Sequence, residues 1–490
     1  MRSKVELIAY ADRFGTGLAG LRGLLNGPLR GLFGGVHVLP FYRPYDGADA
    51  GFDPQDHTEV DERLGSWDDI SALGGEYRVM ADMIVNHVSS DSAPFQDWLA
   101  RGNASQFDGM FLTYRTVFPG GATEEELLRL YRPRPGLPFT PCVLADGRKA
   151  LAWTTFTPQQ IDVDVRHPAT RAYLLRILDR LAAAGVSHVR LDAVGYAVKT
   201  PGLSSFMTPE TFKFIGEVTA WCHERGLEVL VEVHSYYLHQ MQIARQVDYV
   251  YDFALPPLIL HALTTADAGP LLTWLRRRPG NAVTVLDTHD GIGIIDVGPD
   301  VTDRSQPGLL SPGQLDQLVE TIHANSGGTS RQATGAAASN VDLYQVNCTF
   351  YDALGRDDDR YLLARALQFW TPGIPQVYYV GLLAGSNDMD LLARTRVGRD
   401  VNRHYYTPAE IDAGLARPVV QALCRLIRFR NEHPAFEGSM TCSGRGPGIV
   451  MSWAHDNDEA VLRADLATGS AEVTWTENGT RRNAPLAALP

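Results

Sequence analysis

Eight short apolar runs, each followed by a longer stretch of helix-compatible sequence, constrain this chain more than anything else in it. They are VELIAYA (5–11), VHVLP (36–40), VMADMIVNH (79–87), VSHVRLD (186–192), LEVLVEVH (227–234), VDYVYDFAL (247–255), AVTVLDTHD (282–290) and IPQVYYVG (374–381). A strand with one wet face alternates polar and apolar residues, whereas a parallel strand covered on both faces stays apolar. Intervening segments such as TRAYLLRILDRLAAAG (170–185) and TPETFKFIGEVTAWCHERG (208–226) carry apolar residues at helical spacing and end in Gly. This alternation predicts an α/β fold, a closed (β/α)8 TIM barrel.

Two gaps are too long for simple crossovers. Residues 88–165, rich in Pro, Gly and aromatics, predict an inserted domain after the third strand. Residues 291–355, with the polar stretch NSGGTSRQATGAAASN (325–340), predict an inserted loop domain after the seventh, and GGTSRQATGAAASN (327–340), before VDLYQ (341–345), predicts a mobile loop that offers Asp342 or Tyr344 at different stages. From residue 436 short alternating segments such as GIVMSWAHD (448–456) and EAVLRADLA (459–467) predict a small C-terminal antiparallel β domain over 436–490. The barrel would then comprise 1–87, 166–290 and 356–435.

Among the 490 residues, 44 Lys and Arg face 57 Asp and Glu, a formal charge of −13. That excludes the basic footprint of a nucleic-acid or anionic-membrane binder, though a local cationic patch could still hold a small anion. No stretch approaches a membrane span, and the opening MRSKVELIAYADRFG lacks the apolar core of a secretory signal. Five scattered cysteines without CxxC spacing indicate neither a disulfide framework nor a zinc site. A cytoplasmic location with reduced thiols is the expectation.

Polar residues gather at the C-terminal ends of the runs: Asn86 and His87, Arg190 and Asp192, Glu232 and His234, His289 and Asp290. In a parallel barrel those ends converge on one face, which is where such folds place active sites. Any one of them could be a loop anchor or ion pair; three carboxylates with His and Arg on one rim point to chemistry. Carboxylate pairs serve glycoside chemistry, in which a retaining enzyme needs its nucleophile and acid about 5–5.5 Å apart. Adjacent strands are about 4.8 Å apart, so Asp192 and Glu232 are neighbours on that scale. Arg190 shares a strand face with Asp192 and is expected to hold it ionised, while Glu232 in apolar company has reason to stay protonated.

The segments DMIVNH (82–87), VRLDAV (189–194), VEVHS (231–235) and VLDTHD (285–290), with QIDVDV (160–165), resemble in order and spacing the signature regions of the α-amylase clan of glycoside-active enzymes. Longer stretches, including YDGADAGFDP (45–54), YRPRPGLPF (131–139), LDTHDGIGIIDVG (286–298), ATGAAASNVDLYQVN (333–347) and GRDVNRHYY (398–406), resemble one branch of it, the sucrose phosphorylases, over nearly the whole chain to about residue 435. The resemblance implies Asp192 as nucleophile, Glu232 as general acid/base and Asp290 as the third carboxylate. It implies Asp49, Phe52, His87, Phe156, Arg190, His289 and Arg399 at the glucosyl subsite. It places Pro133, Arg134, His234, Asp342, Leu343, Tyr344 and Gln345 around the acceptor and phosphate.

An acidic protein that binds phosphate needs a local donor, and Arg134 suits that by its forked guanidinium; judged without the resemblance it is as readily a solvated arginine. Sucrose, inorganic phosphate, glucose 1-phosphate and fructose are the implied partners. No cofactor and no metal are implied, although Asn86 has clan counterparts that bind calcium. A homodimer or a monomer is compatible with the resemblance. Phosphorolysis of sucrose 6'-phosphate, glucosylglycerol or glucosylglycerate, hydrolysis of sucrose, and a non-catalytic binding barrel are the alternatives.

Overall fold

The computed structural model describes residues 4–44, 46–47, 49–133, 136–301, 303–336 and 345–490. Each apolar run contributes one strand. These are β1 (Glu6–Ala9), β2 (Gly35–Val38), β3 (Arg78–Ile84), β4 (His188–Asp192), β5 (Glu228–Val231), β6 (Tyr249–Asp252), β7 (Ala282–Thr284) and β8 (Ile374–Tyr378). All eight pair in parallel with their sequence neighbours, and β8 returns to β1 through Glu6↔Gln376, so the sheet closes. Helices such as Pro168–Ala183 and Pro209–His223 start with Pro in the first turn, where its missing N–H costs nothing, and bury one face on the barrel.

The strands are less uniformly apolar than their sequences suggest. Val36, Val38, Val79, Ala81, Val189, Leu191 and Val229 are at most 1% exposed, but the barrel interior also holds a chain of polar side chains. Arg78 donates to Glu6 (2.7 Å), Gln376 bridges Glu6 (2.9 Å) and the Tyr251 hydroxyl (3.1 Å), and His37 meets Asp82 (3.0 Å). Each member has a partner, the condition under which a buried network is tolerated. Asp82 then passes the chain on to Arg190 at 2.5 Å, at the mouth of the barrel.

Between β3 and β4, the pair His87–Ser89 and Gln160–Asp162 places His87 opposite Asp162. Beyond it, the hairpin of Phe139–Val143 with Lys149–Trp153 packs over a small separate core of Leu112, Val117, Phe118, Leu130 and Trp153. Between β7 and β8, Ile292–Gly293 pairs with Gln345–Val346, and helices span Pro312–Asn325 and Thr329–Ala336. Within the stretch expected to be a mobile loop, Thr329–Ala336 is helical: Ser326 ends the preceding helix and local hydrogen bonds start this one. Residues 337–344 lie outside the described residues.

Strands β9 (Ser439–Arg445), β10 (Gly448–His455), β11 (Asp458–Asp465), β12 (Ser470–Glu477) and β13 (Thr480–Pro485) form one antiparallel sheet. Its apolar face joins the main core: the Trp453 indole donates to the Trp370 carbonyl (2.7 Å) and the Trp370 indole to Ala460 (3.2 Å). Among the described residues no helix is long and apolar enough to cross a membrane.

Candidate active site

Over the C-terminal ends of the strands lies a pocket with about 660 Å³ of open space. Asp49, Phe52, His87, Phe156, Asp192, Glu232, His289, Asp290 and Arg399 line it, with Pro133, His234 and Gln345 on one side. Arg190 is not on the lining; it lies 2% exposed directly beneath. Arg134, Asp342, Leu343 and Tyr344 lie outside the described residues.

The two central carboxylates owe their places to the ladder. Asp192 ends β4, and the next residue, Ala193, takes a left-handed turn (φ 54°) that swings the chain away from the barrel. The Glu232 amide donates to the Leu191 carbonyl (3.2 Å), so Glu232 stands beside Asp192 one step past β5. One guanidinium spans both: Arg190 Nη1 is 3.0 Å from Asp192 and Nη2 is 3.7 Å from Glu232. His289 and Asp290 do not end β7 but follow it by five and six residues. Asn402 donates to the Thr288 carbonyl (2.8 Å) and Arg403 to that of His289 (2.9 Å), which fixes this loop.

Electrostatics separate the carboxylates. Burial raises Asp192 well above the usual carboxylate range, and although Arg190 opposes this, the charge of Glu232 adds to it. Arg190 supports Asp192, as expected from its place on the same strand face, but it also pairs with Asp82 at 2.5 Å. Asp290 is equally buried, which would raise it too, but Arg399 at 2.6 Å, with Arg403 behind it, holds it well below the usual range. Arg399 also reaches Asp49 (3.5 Å) and so joins Asp49 to Asp290 across the far end of the pocket. Burial keeps His289 far below its ordinary value and therefore neutral; its ring stacks on Phe52 at 4.5 Å and 10°.

Supporting residues escaped the sequence reading. Asp82, with no exposed surface, sits between His37 and Arg190, and these two partners hold it at about 2 despite its burial. An acid inside the run VMADMIVNH was the available signal. Gln160 donates to Asp49 (2.9 Å) and to the Phe52 carbonyl (3.2 Å), and His87 hydrogen-bonds the same carbonyl at 2.9 Å. Asp296, fully buried, accepts from His234 Nδ1 (2.7 Å), the Ser235 amide (3.1 Å) and Gln240 (2.8 Å). Burial would depress His234, but Asp296 outweighs it and raises the imidazole. Only Gly fits at 293, since a Cβ there would lie 2.2 Å from the Asp296 carboxylate and 3.1 Å from His234.

The oxygens of Asn86 and Asp162 both face the Lys199 ammonium, at 2.8 and 2.7 Å, so a side-chain cation already stands between them. Glu232, His234 and Asp290 bring ligand atoms within 4.8 Å of one another, but Asp296 and Arg399 already engage two of the three.

Residues 31–253 match the alpha amylase catalytic-domain model. The chain is 58% identical to the sucrose phosphorylase of Agrobacterium vitis over 97% of both chains. It is 54% identical to that of Bifidobacterium adolescentis, over all of this chain and 99% of the other. The crystal structure of sucrose 6F-phosphate phosphorylase from Thermoanaerobacter thermosaccharolyticum superposes with a TM-score of 0.90 at 36% identity, covering 99% of each chain.

Proposed function

This chain belongs to the sucrose phosphorylase branch of the α-amylase family, and on that premise we propose that it catalyses the reversible phosphorolysis of sucrose to α-D-glucose 1-phosphate and fructose. One observation carries the mechanism: Asp192 and Glu232 face the same Arg190 guanidinium in a pocket whose far end is closed by Asp290, Arg399 and Asp49. A site closed in that way suits a single terminal glucosyl ring.

The mechanism takes Asp192 as the carboxylate and Glu232 as the acid: Arg190, 3.0 Å from Asp192 and 3.7 Å from Glu232, supports charge on Asp192 against the burial that opposes it. The Asp192 carboxylate attacks the anomeric carbon, the bond to the fructosyl oxygen breaks, and Glu232 protonates that oxygen as it leaves. In the second step a phosphate oxygen attacks the same carbon, the ester bond to Asp192 breaks, and the Glu232 carboxylate takes the phosphate's proton. Two inversions give net retention. Asp290, held ionised by Arg399, accepts hydrogen bonds from sugar hydroxyls and stabilises the positive charge that develops on the ring. Neutral His289 and His87 offer hydrogen bonds without adding charge, and Phe52 and Phe156 form the apolar platform.

On the acceptor side, His234, whose imidazole Asp296 raises, and Gln345 flank the place where fructose leaves and phosphate enters. Arg134, Asp342 and Tyr344 belong to the same side of the reading. We place the enzyme in the cytoplasm, as a homodimer or a monomer, with a barrel (1–87, 166–290, 356–435) carrying inserts 88–165 and 291–355 and the β domain 436–490.

The test is incubation with sucrose, with and without inorganic phosphate, followed by assay of glucose 1-phosphate and free glucose. Phosphate-dependent glucose 1-phosphate should dominate. Free glucose alone, unchanged by phosphate, would leave a hydrolase, and neither product would leave a binding protein.

A further inference from the structure

Lys199 does not line the catalytic pocket, yet it is only 2% exposed and stands among the residues that shape it. Burial pulls the ammonium below its ordinary value, and the Asp162 carboxylate opposes that. A buried ion pair is a costly way to hold a fold, since well-packed apolar side chains of similar volume often do as well or better. An ammonium at this place therefore calls for a use that an apolar side chain would not serve.

Its three protons meet three oxygens. Lys199 donates to Asn86 Oδ1 (2.8 Å), to Asp162 Oδ2 (2.7 Å) and to the Tyr196 carbonyl, and the Trp153 ring lies 5.9 Å away. Each oxygen belongs to a different part of the chain, and each part carries a piece of the pocket. Asn86 lies just past β3, and its side-chain amide is 3.3 Å from His87 Nδ1. Asp162 belongs to the inserted segment and accepts from the Thr155 amide (3.0 Å) and hydroxyl (2.5 Å), next to Phe156. Tyr196 lies in the loop that follows Asp192, and its ring meets that of Phe156 edge-on at 5.1 Å.

The loop after Asp192 is strained. Ala193, Ser205 and Met207 hold left-handed backbone at φ 54°, 55° and 50°, which residues with a side chain keep only where the surroundings fix them. Lys199 lies between these positions and pins the loop to the barrel through Asn86 and to the insert through Asp162. We propose that Lys199 is a positioning residue for glucosyl transfer: one ammonium sets His87, Phe156 and the loop behind the nucleophile in register, so that the ring is presented squarely to Asp192. The proposal rests on the phosphorolysis reading, in which these groups hold the transferred ring.

Lys199→Met keeps the length of the side chain and removes its charge and donors. Well below its melting temperature, this variant should lower kcat/KM for sucrose about 100-fold, the usual cost of misplacing a reacting group by about 1 Å, and equally with phosphate or water as acceptor. Thr155→Val leaves the ammonium in place and cuts one link from Asp162 toward Phe156; it should cost about fivefold, and it decides the matter if Lys199→Met does not fold. In Lys199→Ala, propylammonium should restore activity saturably, while propanol, of similar size and uncharged, should not. Wild-type kcat/KM in folded Lys199→Met, even with a lowered melting temperature, would reduce Lys199 to a clasp and overturn the proposal. A loss confined to one acceptor, equal restoration by propanol, or, where Lys199→Met does not fold, full activity in Thr155→Val would overturn it too. If the wild-type protein makes no glucose 1-phosphate, the phosphorolysis reading fails by itself. Calorimetric binding of glucose then decides the proposal: Lys199→Met, or Thr155→Val in its place, should weaken it, about tenfold for the former, and unchanged affinity would overturn the role of Lys199.

Discussion

The two sides of the catalytic pocket are built differently. On the glucosyl side the charged groups stand on barrel strands or on loops tied to them, and most are held twice: Arg190 by Asp82 and Asp192, Asp290 by Arg399 with Arg403 behind it, Asp49 by Gln160 and Arg399. On the side proposed for the acceptor, Pro133 and Gln345 come from the inserted segments, and among the described residues Gln345 Oε1 takes a long contact from the Gly291 amide, 3.4 Å. On the proposed reading, recognition of the transferred ring is written into the barrel, while the choice of what receives it is shared between barrel-borne His234, held by Asp296, and the inserted segments that bring Pro133 and Gln345.

That contrast can be broken from either side. Asp192→Asn should lower turnover of sucrose by about four orders of magnitude, whether phosphate or water is the acceptor, with unchanged circular dichroism; retained activity would remove the nucleophile. Asp290→Asn should cost about 10³-fold in kcat, again equally for both acceptors, and a loss confined to one acceptor would blur the line between the two sides. Arg134→Ala should reduce glucose 1-phosphate release by roughly 10–100-fold and free glucose far less; equal losses would take Arg134 out of the acceptor side.

Asp296→Asn is expected to lower kcat/KM for phosphorolysis roughly tenfold, by releasing His234. It also carries a pH signature. Because His234 is raised in the folded protein, its pairing stabilises the fold fully below the ordinary imidazole value of 6.5 and loses that contribution as pH rises through the elevated value. The stability gap between wild type and the variant, followed by thermal melts, should therefore be widest at acidic pH and narrow toward alkaline pH; a constant gap would mean that Asp296 only packs. Gln345→Ala, the mildest, should raise KM for fructose in the reverse reaction about threefold and leave KM for glucose 1-phosphate unchanged.

The eight strands were legible because each is buried on both faces and reads as a run. The rim residues were legible because charge at the end of such a run is costly without a use. What stayed hidden depends on contacts across the sequence. Glu6, His37, Tyr251 and Gln376 read as incidental within their own strands, and only closure of the barrel joins them into one network reaching Arg190. Asp296 sits in GIIDV with nothing to mark it until Gly293 lets His234 reach it. The surroundings of Asp192 were half visible for a related reason: Arg190, two residues away, could be read, and its pairing with Asp82, 108 residues away, could not.

Closure of the barrel also bears on how the protein is made. Strand β1 has β2 and β8 as its neighbours, and β8 spans Ile374–Tyr378. A ribosome that has completed the first seven strands has produced an open sheet with two unpaired edges, and Glu6 still lacks Gln376. Such edges are sticky. The chain must therefore keep its oldest strand out of trouble until nearly four-fifths of the polypeptide has emerged, and translation pauses before residue 374 would be the moment at which aggregation competes with folding.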